Sequence, residues 1–425
     1  MKFLIVLVSI FGLAIGAEIH AVLVAGSNGW WNYRHQSDVF HAYQLLTTHG
    51  VKSENIITFA YDDIAGNYRN PFKGQVFNHP NGPNVYAGVK IDYSEYDVNP
   101  ENFMGVLTGD VKRVKGGNGR VLKSTSEDKV FVYYADHGGS GLLGFPYDLM
   151  TVLDLNITLQ SMHDKKMYKE LVFYMEACES GSMFSGILPN NLGILAVTAS
   201  NETELSWAGY CDIPTLPDNC LGDWFSIHWL EDSDAGDLST ETLQTQYTHV
   251  KALTNTSNVM HYGDLSISNE VVANFQGHSK SRSVSYPRPE NFEKWSSREI
   301  PLKSLESRLR RSNDPIEGSK LSRELQQLKI KRRYFDKHTR ELIGKLTTNQ
   351  NVMTKKPKTI KELECHDRVV KAYSTECFNL GQNSYALNAV GPLTNLCELK
   401  IPTDRIVQTI KSHCAEKNLL LKNIV

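Results

Sequence analysis

Cys178 and His137 are the two residues whose types and settings can do chemistry together. The cysteine lies in Glu176-Ala177-Cys178-Glu179-Ser180-Gly181-Ser182, the histidine in Ala135-Asp136-His137-Gly138-Gly139-Ser140. An imidazole beside a thiol lowers its pKa, and the thiolate is the nucleophile. His137 would act as base toward the sulfur and as acid toward a leaving amine. Glycines after His137 let a substrate carbonyl approach the backbone. The N–H groups of Gly138 and Cys178 can then face a developing oxyanion, a term of about 3 kcal/mol per donor. The plainer readings are a core histidine and an inert buried thiol. A metal centre needs more ligands at close spacing, and the chain has neither His-Glu-x-x-His nor Cys-x-x-Cys. No metal and no cofactor are expected.

The elements that must position this pair are legible as apolar runs. Ala21–Ala25, Ile56–Ala60, Val130–Tyr134, Leu171–Met175 and Leu192–Val197 are rich in Val, Ile, Phe and Tyr and do not alternate with polar residues. Such runs suit strands of a sheet covered on both faces. Amphipathic stretches lie between them at Val39–Thr48, Leu155–Met167 and Trp224–Glu231. The alternation predicts an α/β fold with an open, mostly parallel sheet and helices on both faces. Ligands of such sheets bind beyond the carboxyl ends of the strands. Val130–Tyr134 runs into the His137 turn, Leu171–Met175 into the Cys178 turn, and Ala21–Ala25 into Gly26-Ser27-Asn28-Gly29. One sheet edge would therefore receive both groups.

The chain has 425 residues, long enough for two or more folded units. A net charge of −2 argues against a uniformly basic nucleic-acid binder. Beyond the N-terminus no apolar run is long enough for a membrane span. Met1-Lys2, the apolar run Phe3 to Ile15 and the small residues Ala14, Gly16 and Ala17 read as a secretory signal peptide over residues 1–17. That places the mature chain in an oxidising compartment, the secretory pathway. Asn156, Asn201 and Asn255 stand in Asn-x-Ser/Thr sequons and are candidate glycosylation sites. Seven cysteines leave at least one unpaired. Cys211 and Cys220 flank a short Pro-bearing loop and can close it. Cys365, Cys377, Cys397 and Cys414 can form two bridges in three ways, and spacing alone does not choose. Cys178 is left as the odd thiol.

The stretches Val24-Ala25-Gly26-Ser27-Asn28-Gly29-Trp30, Asn32-Tyr33-Arg34-His35-Gln36, Tyr61-Asp62-Asp63-Ile64, Asp136-His137-Gly138, Glu176 to Met183 and Leu221-Gly222-Asp223-Trp224 carry a resemblance. In type and order they resemble the legumain family of asparaginyl endopeptidases, which belongs with the caspases. The resemblance implies a caspase-like sheet followed by an all-helical prodomain, and a Cys178–His137 dyad with Asn32 orienting the imidazole. It implies a pocket lined by Arg34, His35, Glu176, Ser206 and Asp223. A carboxamide offers one acceptor and one NH2 donor, so a pocket holding a cation and carboxylates satisfies both ends. It further implies bridges Cys365–Cys397 and Cys377–Cys414, and protein and peptide substrates. Cystatin-type inhibitors, an acidic vesicle such as the lysosome or a secreted setting such as the gut lumen, and resynthesis of peptide bonds by an amine belong to the same implication. Leu205, beside Ser206, departs from the small polar residue common in the family. A secreted, catalytically dead binding protein would have lost its nucleophile, and Cys178, His137 and Asn32 are all present.

Charge is unevenly placed. Residues 278–360 hold 21 Lys/Arg against 9 Asp/Glu, whereas residues 1–277 carry a net charge near −15. The organisation expected is a peptidase domain over 18–277, a Ser/Arg/Pro-rich linker over 278–313, an activation peptide over 314–346 and a disulfide-bonded helical prodomain over 347–425. Leu321, Leu325, Leu328, Tyr334, Leu342 and Leu346 recur at helical spacing. This basic helix is expected to lie across the acidic domain and cover the Cys178–His137 edge, the chain's own tail acting as its inhibitor until acid weakens the attraction. Asn313, in the charged turn Arg311-Ser312-Asn313-Asp314, is the expected position of self-cleavage.

Overall fold

The computed structural model describes residues 17–278, 286–287 and 292–415. The expected signal peptide, apart from Ala17, lies outside the described residues.

Strands β1 (Ile19–Ala25), β2 (Ile56–Phe59), β3 (Lys129–Ala135), β4 (Glu170–Glu176) and β5 (Ile194–Thr198) form a sheet in the order β5-β4-β3-β1-β2, all parallel. Two further strands, β6 (Trp207–Ile213) and β7 (Leu216–Asp223), form an antiparallel pair beside it. Strand β8 (Met260–Gly263) closes the large sheet, antiparallel to β5. Helices α1 (Tyr33–Thr48) and α4 (Trp224–Ala235) cover one face, where Leu23, Phe131, Tyr133 and Tyr174 point. Helices α2 (Pro100–Leu107) and α3 (Val152–Asp164) cover the other, against Val22, Val24, Val132 and Phe173. Neighbours along each strand thus enter opposite cores, which is why the runs show no polar alternation. A small antiparallel ribbon, Gly138–Gly139, Leu142–Gly144 and Leu149–Thr151, follows β3 directly.

The stretch read as a linker over 278–313 is structured where it is described from residue 292 onward, which corrects that reading. Strand β9 (Glu293–Ser296) pairs antiparallel with β6, and helix α5 (Ile300–Arg311) follows. Ser, Arg and Pro dominate the composition, yet Trp295, Ile300 and Leu305 are buried and supply the anchoring surface. Helix α6 (Pro315–Leu346) begins with an Asp314 side-chain cap and Pro at its first position. Helices α7 (Leu363–Glu376), α8 (Val390–Glu398) and α9 (Thr403–Ala415) complete a C-terminal helical unit. Disulfides join Cys365 to Cys397 and Cys377 to Cys414, tying α7 to α8 and α9, and a third joins Cys211 to Cys220.

The basic helix does not lie across the Cys178–His137 edge as charge alone suggested. Leu321, Leu325 and Leu328 of α6 pack on Leu302, Leu305 and Leu309 of α5. Its second half, through Phe335, Leu342, Ile343 and Leu346, enters the helical core. Apolar burial at roughly 25 cal/mol per Å² outweighs screened attraction between surface charges. The helical unit meets the peptidase domain at the ribbon instead, for Leu142 and Leu149 share the core of Val369, Tyr373 and Leu393.

Candidate active site

β3 and β4 run in register with Ala135 opposite Glu176. His137 and Cys178 each follow two residues later, so the sheet sets their turns side by side. Gly138 is needed here because a Cβ on it would collide with the Cys178 carbonyl and the Ala177 side chain. Asn32 occupies the N-cap position of α1 but caps nothing. Its Oδ1 lies 2.8 Å from His137 Nε2, and its Nδ2 donates to Asn28 O at 2.8 Å. The imidazole is thereby oriented, with Nδ1 buried and without a hydrogen-bond partner among the described residues.

The sulfur is not hydrogen-bonded to the imidazole. It accepts from Ser206 N at 3.3 Å and lies 3.6 Å from Ser206 Oγ. Burial pushes the Cys178 thiol up, against the pull of Arg298 and the Ser206 bonds. Burial drives the His137 imidazole well down, with Arg34 and Arg298 adding to it. In this closed form burial thus disfavours the charged form of both partners and opposes the ion pair expected of a working dyad. That burial comes from covering chain that expels water.

That covering chain is residues 297–298. Ser297 N donates to Ser206 O at 3.1 Å, and its hydroxyl lies 3.1 Å from Ser206 Oγ. Arg298, 2% exposed, donates through Nη2 to Gly138 O and through Nη1 to Asn388 Oδ1, both at 2.7 Å. Its Nη1 is also 3.7 Å from Glu179 Oε1. From the helical unit, Leu387 and Val390 press on Gly139, His366 Nε2 lies 3.0 Å from Gly141 O, and Gln382 Nε2 donates to Asn28 Oδ1 at 3.1 Å.

Arg34, His35, Glu176, Ser206 and Asp223, each almost wholly buried, lie in one polar cluster. Arg34 Nε donates to Asp223 Oδ1 at 2.8 Å. His35 Nε2 is 3.4 Å from Asp223 Oδ2, and its Nδ1 is 2.6 Å from Ser27 Oγ. Glu176 Oε2 accepts from the N–H and hydroxyl of Ser226, both at 3.0 Å. Arg34 Nη2 and Glu176 Oε1 are buried without a hydrogen-bond partner among the described residues. Asp223 Oδ2 is likewise buried without a hydrogen-bond partner, so among the described residues the cluster leaves one donor, Arg34 Nη2, and two acceptors, Glu176 Oε1 and Asp223 Oδ2, unpaired.

Residue-type reasoning missed Asp38, whose carboxylate accepts from Asp223 N at 2.9 Å and Asn78 Nδ2 at 2.6 Å. Its spacing of four from Arg34 on one helix was the available signal. Burial, then repulsion from Asp223, raises the carboxyls of Asp38 and Glu176. Burial also raises Asp223, with Arg34 resisting. Asp136 was missed too; burial pushes it up to about 8. Together with His35 and His137 it brings three possible metal ligands within 4.8 Å of one another. Ring nitrogens of that group already face Ser27 and Asn32.

The remaining sequence candidates lie outside this cluster. Asn313 is exposed between α5 and α6. Asn255 is exposed; Asn156, on α3, is half-buried. Asn201 is half-buried as well, its amide donating to Glu204 Oε1 at 2.6 Å.

Comparison with known proteins matches residues 19–278 to the Peptidase C13 family and residues 320–414 to the legumain prodomain. Legumain from Rattus norvegicus is 44% identical over 408 residues, covering 94% of this chain and 93% of its own length. Hemoglobinase from Schistosoma mansoni is 41% identical over 93% of this chain and 91% of its own. The delta-isozyme of vacuolar-processing enzyme from Arabidopsis thaliana is 39% identical over 93% of this chain and 90% of its own. Among solved structures, caspase-1 from Spodoptera frugiperda aligns at a TM-score of 0.37 and 12% identity, covering 63% of this chain and 92% of its own.

Proposed function

The chain belongs to the peptidase C13 family, with a legumain prodomain, and is a cysteine endopeptidase; from that premise we propose that it cuts on the carboxyl side of asparagine. Cys178 is the nucleophile, His137 the base and acid, Asn32 the residue that orients it, and Gly138 and Cys178 N–H the oxyanion donors. The carrying observation is a buried donor without an acceptor, Arg34 Nη2, and buried acceptors without a donor, Glu176 Oε1 and Asp223 Oδ2. A carboxamide carbonyl satisfies the first and its NH2 the second. A side chain without the amide leaves both buried and unpaired, a cost that rejects it by large factors.

A panel of fluorogenic peptides ending in Asn, Asp, Gln or Ala before the reporter tests the assignment on acid-released enzyme. Asn is expected to lead at every pH. Aspartate mimics the amide only when protonated, so cleavage after Asp should rise about tenfold for each pH unit lowered toward the ordinary Asp pKa near 4. Cleavage after Asp that is flat with pH contradicts the pocket as described.

The same reading makes the chain a zymogen. Its own residues 297–298 and helical unit cover the dyad, and Asn313 is the position proposed for self-cleavage. Strand β9 pairs antiparallel with β6 and is read as lying in the direction of a substrate, with Ser297 facing Asp223. Ser297→Asn should turn this inhibitor into a substrate, so that N-terminal sequencing finds a new chain starting at Arg298. An uncut Ser297→Asn zymogen would contradict the register.

Acid supplies the trigger through Asp212, which holds Arg310 at 2.6 Å, Arg311 at 2.9 Å and the Ser307 hydroxyl. Burial pushes this carboxyl up, but Ser307, the Asp218 N–H and the two guanidinium groups outweigh it and leave it low. A carboxyl held low in the closed form stabilises that form while ionised. The contribution is complete above the ordinary Asp value of about 4 and is lost as pH falls through the lowered one. Asp218 runs the other way: burial raises it to about 6, so acid favours its buried state. Asp212→Asn should therefore open α5 at neutral pH, about tenfold faster by limited proteolysis after discounting exposed pairs for screening. Equal protection would place the acid sensitivity elsewhere.

Acyl transfer to an amine instead of water gives peptide ligation, a secondary activity of the same proposal. Cystatin-type inhibitors and residence in an acidic vesicle of the secretory pathway, or secretion, complete it. No described helix is long and apolar enough to cross a membrane.

A further inference from the structure

The covering segment also seats a side chain two residues upstream of Ser297. Register fixes the positions: Ser296 lies opposite Trp207 and Trp295 opposite Ala208. Ser297 bonds Ser206, whose N–H meets the Cys178 sulfur, so on the reading above Ser297 takes the asparagine position, and Arg298 follows across to Gly138 O. Trp295 is then the residue two positions upstream. It is 2% exposed and clusters with Ala208, the Cys211–Cys220 disulfide, Ile300 and the half-buried Trp31. Ile300 belongs to the covering segment itself and moves away with Trp295 when that segment is displaced. The other walls belong to the enzyme, and the Arg69 guanidinium sits 4.4 Å above the Trp31 ring, on the enzyme side as well.

We infer that the mature enzyme carries an apolar subsite, walled by Trp31, Ala208 and the Cys211–Cys220 disulfide, that takes a large aromatic side chain two residues before the cleaved asparagine. The inference rests on the asparagine reading above and adds a second specificity to it. Trp295 Nε1 donates to Glu293 Oε2 at 2.6 Å, within the propeptide itself. The subsite therefore meets the ring's apolar body, and phenylalanine fits the same walls. Aromatic bodies bury large areas at low conformational cost, which is what a shallow wall of indole and disulfide can reward.

The test compares acetyl-Trp-Ser-Asn and acetyl-Phe-Ser-Asn with acetyl-Ala-Ser-Asn, each carrying the same fluorogenic amide, on acid-released enzyme. The expected result is kcat/KM about tenfold higher for both aromatic peptides. In Trp31→Ala the ratio of aromatic to alanine rates should fall toward one. Because the ratio in the unaltered enzyme already decides the matter, misfolding of the variant leaves the test intact. Equal rates for the three peptides overturn this inference alone. Failure to cut any of them, while the released enzyme cuts other sequences, overturns the asparagine reading and the inference with it.

Discussion

A Cys178→Ser enzyme should hydrolyse asparaginyl peptides at least about a thousandfold more slowly than the unaltered one, with KM little changed. The smaller serine hydroxyl fits the same position at the end of β4, where the carbonyl of Ala177 and the backbone of Ser206 hold the turn. What it lacks is an accessible anion. A thiol near its ordinary pKa is ionised by a neighbouring imidazole, whereas an aliphatic hydroxyl needs its proton removed as it attacks. His137, held through Nε2 by Asn32, has the orientation for a thiol and gains no second support for the harder task. The substitution leaves the Arg34 pocket untouched, so binding survives and the loss falls on kcat. The same zymogen should stay whole in acid and be cut after Asn313 only when active enzyme is added. Turnover within tenfold of the unaltered enzyme would remove Cys178 from the chemistry.

The second large effect concerns latency. Arg298→Ala should give a zymogen that cuts an asparaginyl peptide at neutral pH without acid treatment, at least about thirtyfold faster than the unaltered zymogen. Arg298 is the only side chain of the covering segment that bonds both the peptidase ribbon, at Gly138 O, and the helical unit, at Asn388. Truncating one partner of a buried, charge-assisted set costs roughly 2–5 kcal/mol, and the lower figure is the thirtyfold. Loss of the guanidinium also leaves Glu179 with Lys356, at 3.4 Å, as its remaining cation partner. Arg298→Lys keeps the charge but not the fork, so its leak should fall between the two. A silent Arg298→Ala zymogen would mean that the helical unit, through Leu387, Val390 and His366, holds the site closed by itself.

The sheet and the placing of the His137 and Cys178 turns at one edge were legible because their signals are local. Five unbroken apolar runs became the five parallel strands, since residues that feed two cores have no polar face to show. The turns carrying His137 and Cys178 follow those runs directly, and Ala135 opposite Glu176 brings them together. The pocket was not legible in that way. Arg34, Glu176 and Asp223 lie on three separate elements, and only resemblance selected them. Asp38 escaped even so, because an acid on a helix ordinarily reads as a solvated face. The covering chain was misread for a different reason. Charge totals pointed to α6, but the contact is made by Ser297 and Arg298, two residues in a stretch whose composition resembles a linker. Composition averages away the pairing of Trp295 and Ser296 with β6, which is what seats them.

Limiting iodoacetamide, added to acid-released enzyme, tests the Cys178–His137 dyad most directly. Cys178 is the one free thiol among the described cysteines, the other six being disulfide-bonded. One equivalent of label should map to Cys178, with activity toward the asparaginyl peptide falling in step with labelling and prior incubation with that peptide slowing it. Full carbamidomethylation of Cys178 in an enzyme that still cuts at its original rate would contradict the mechanism outright.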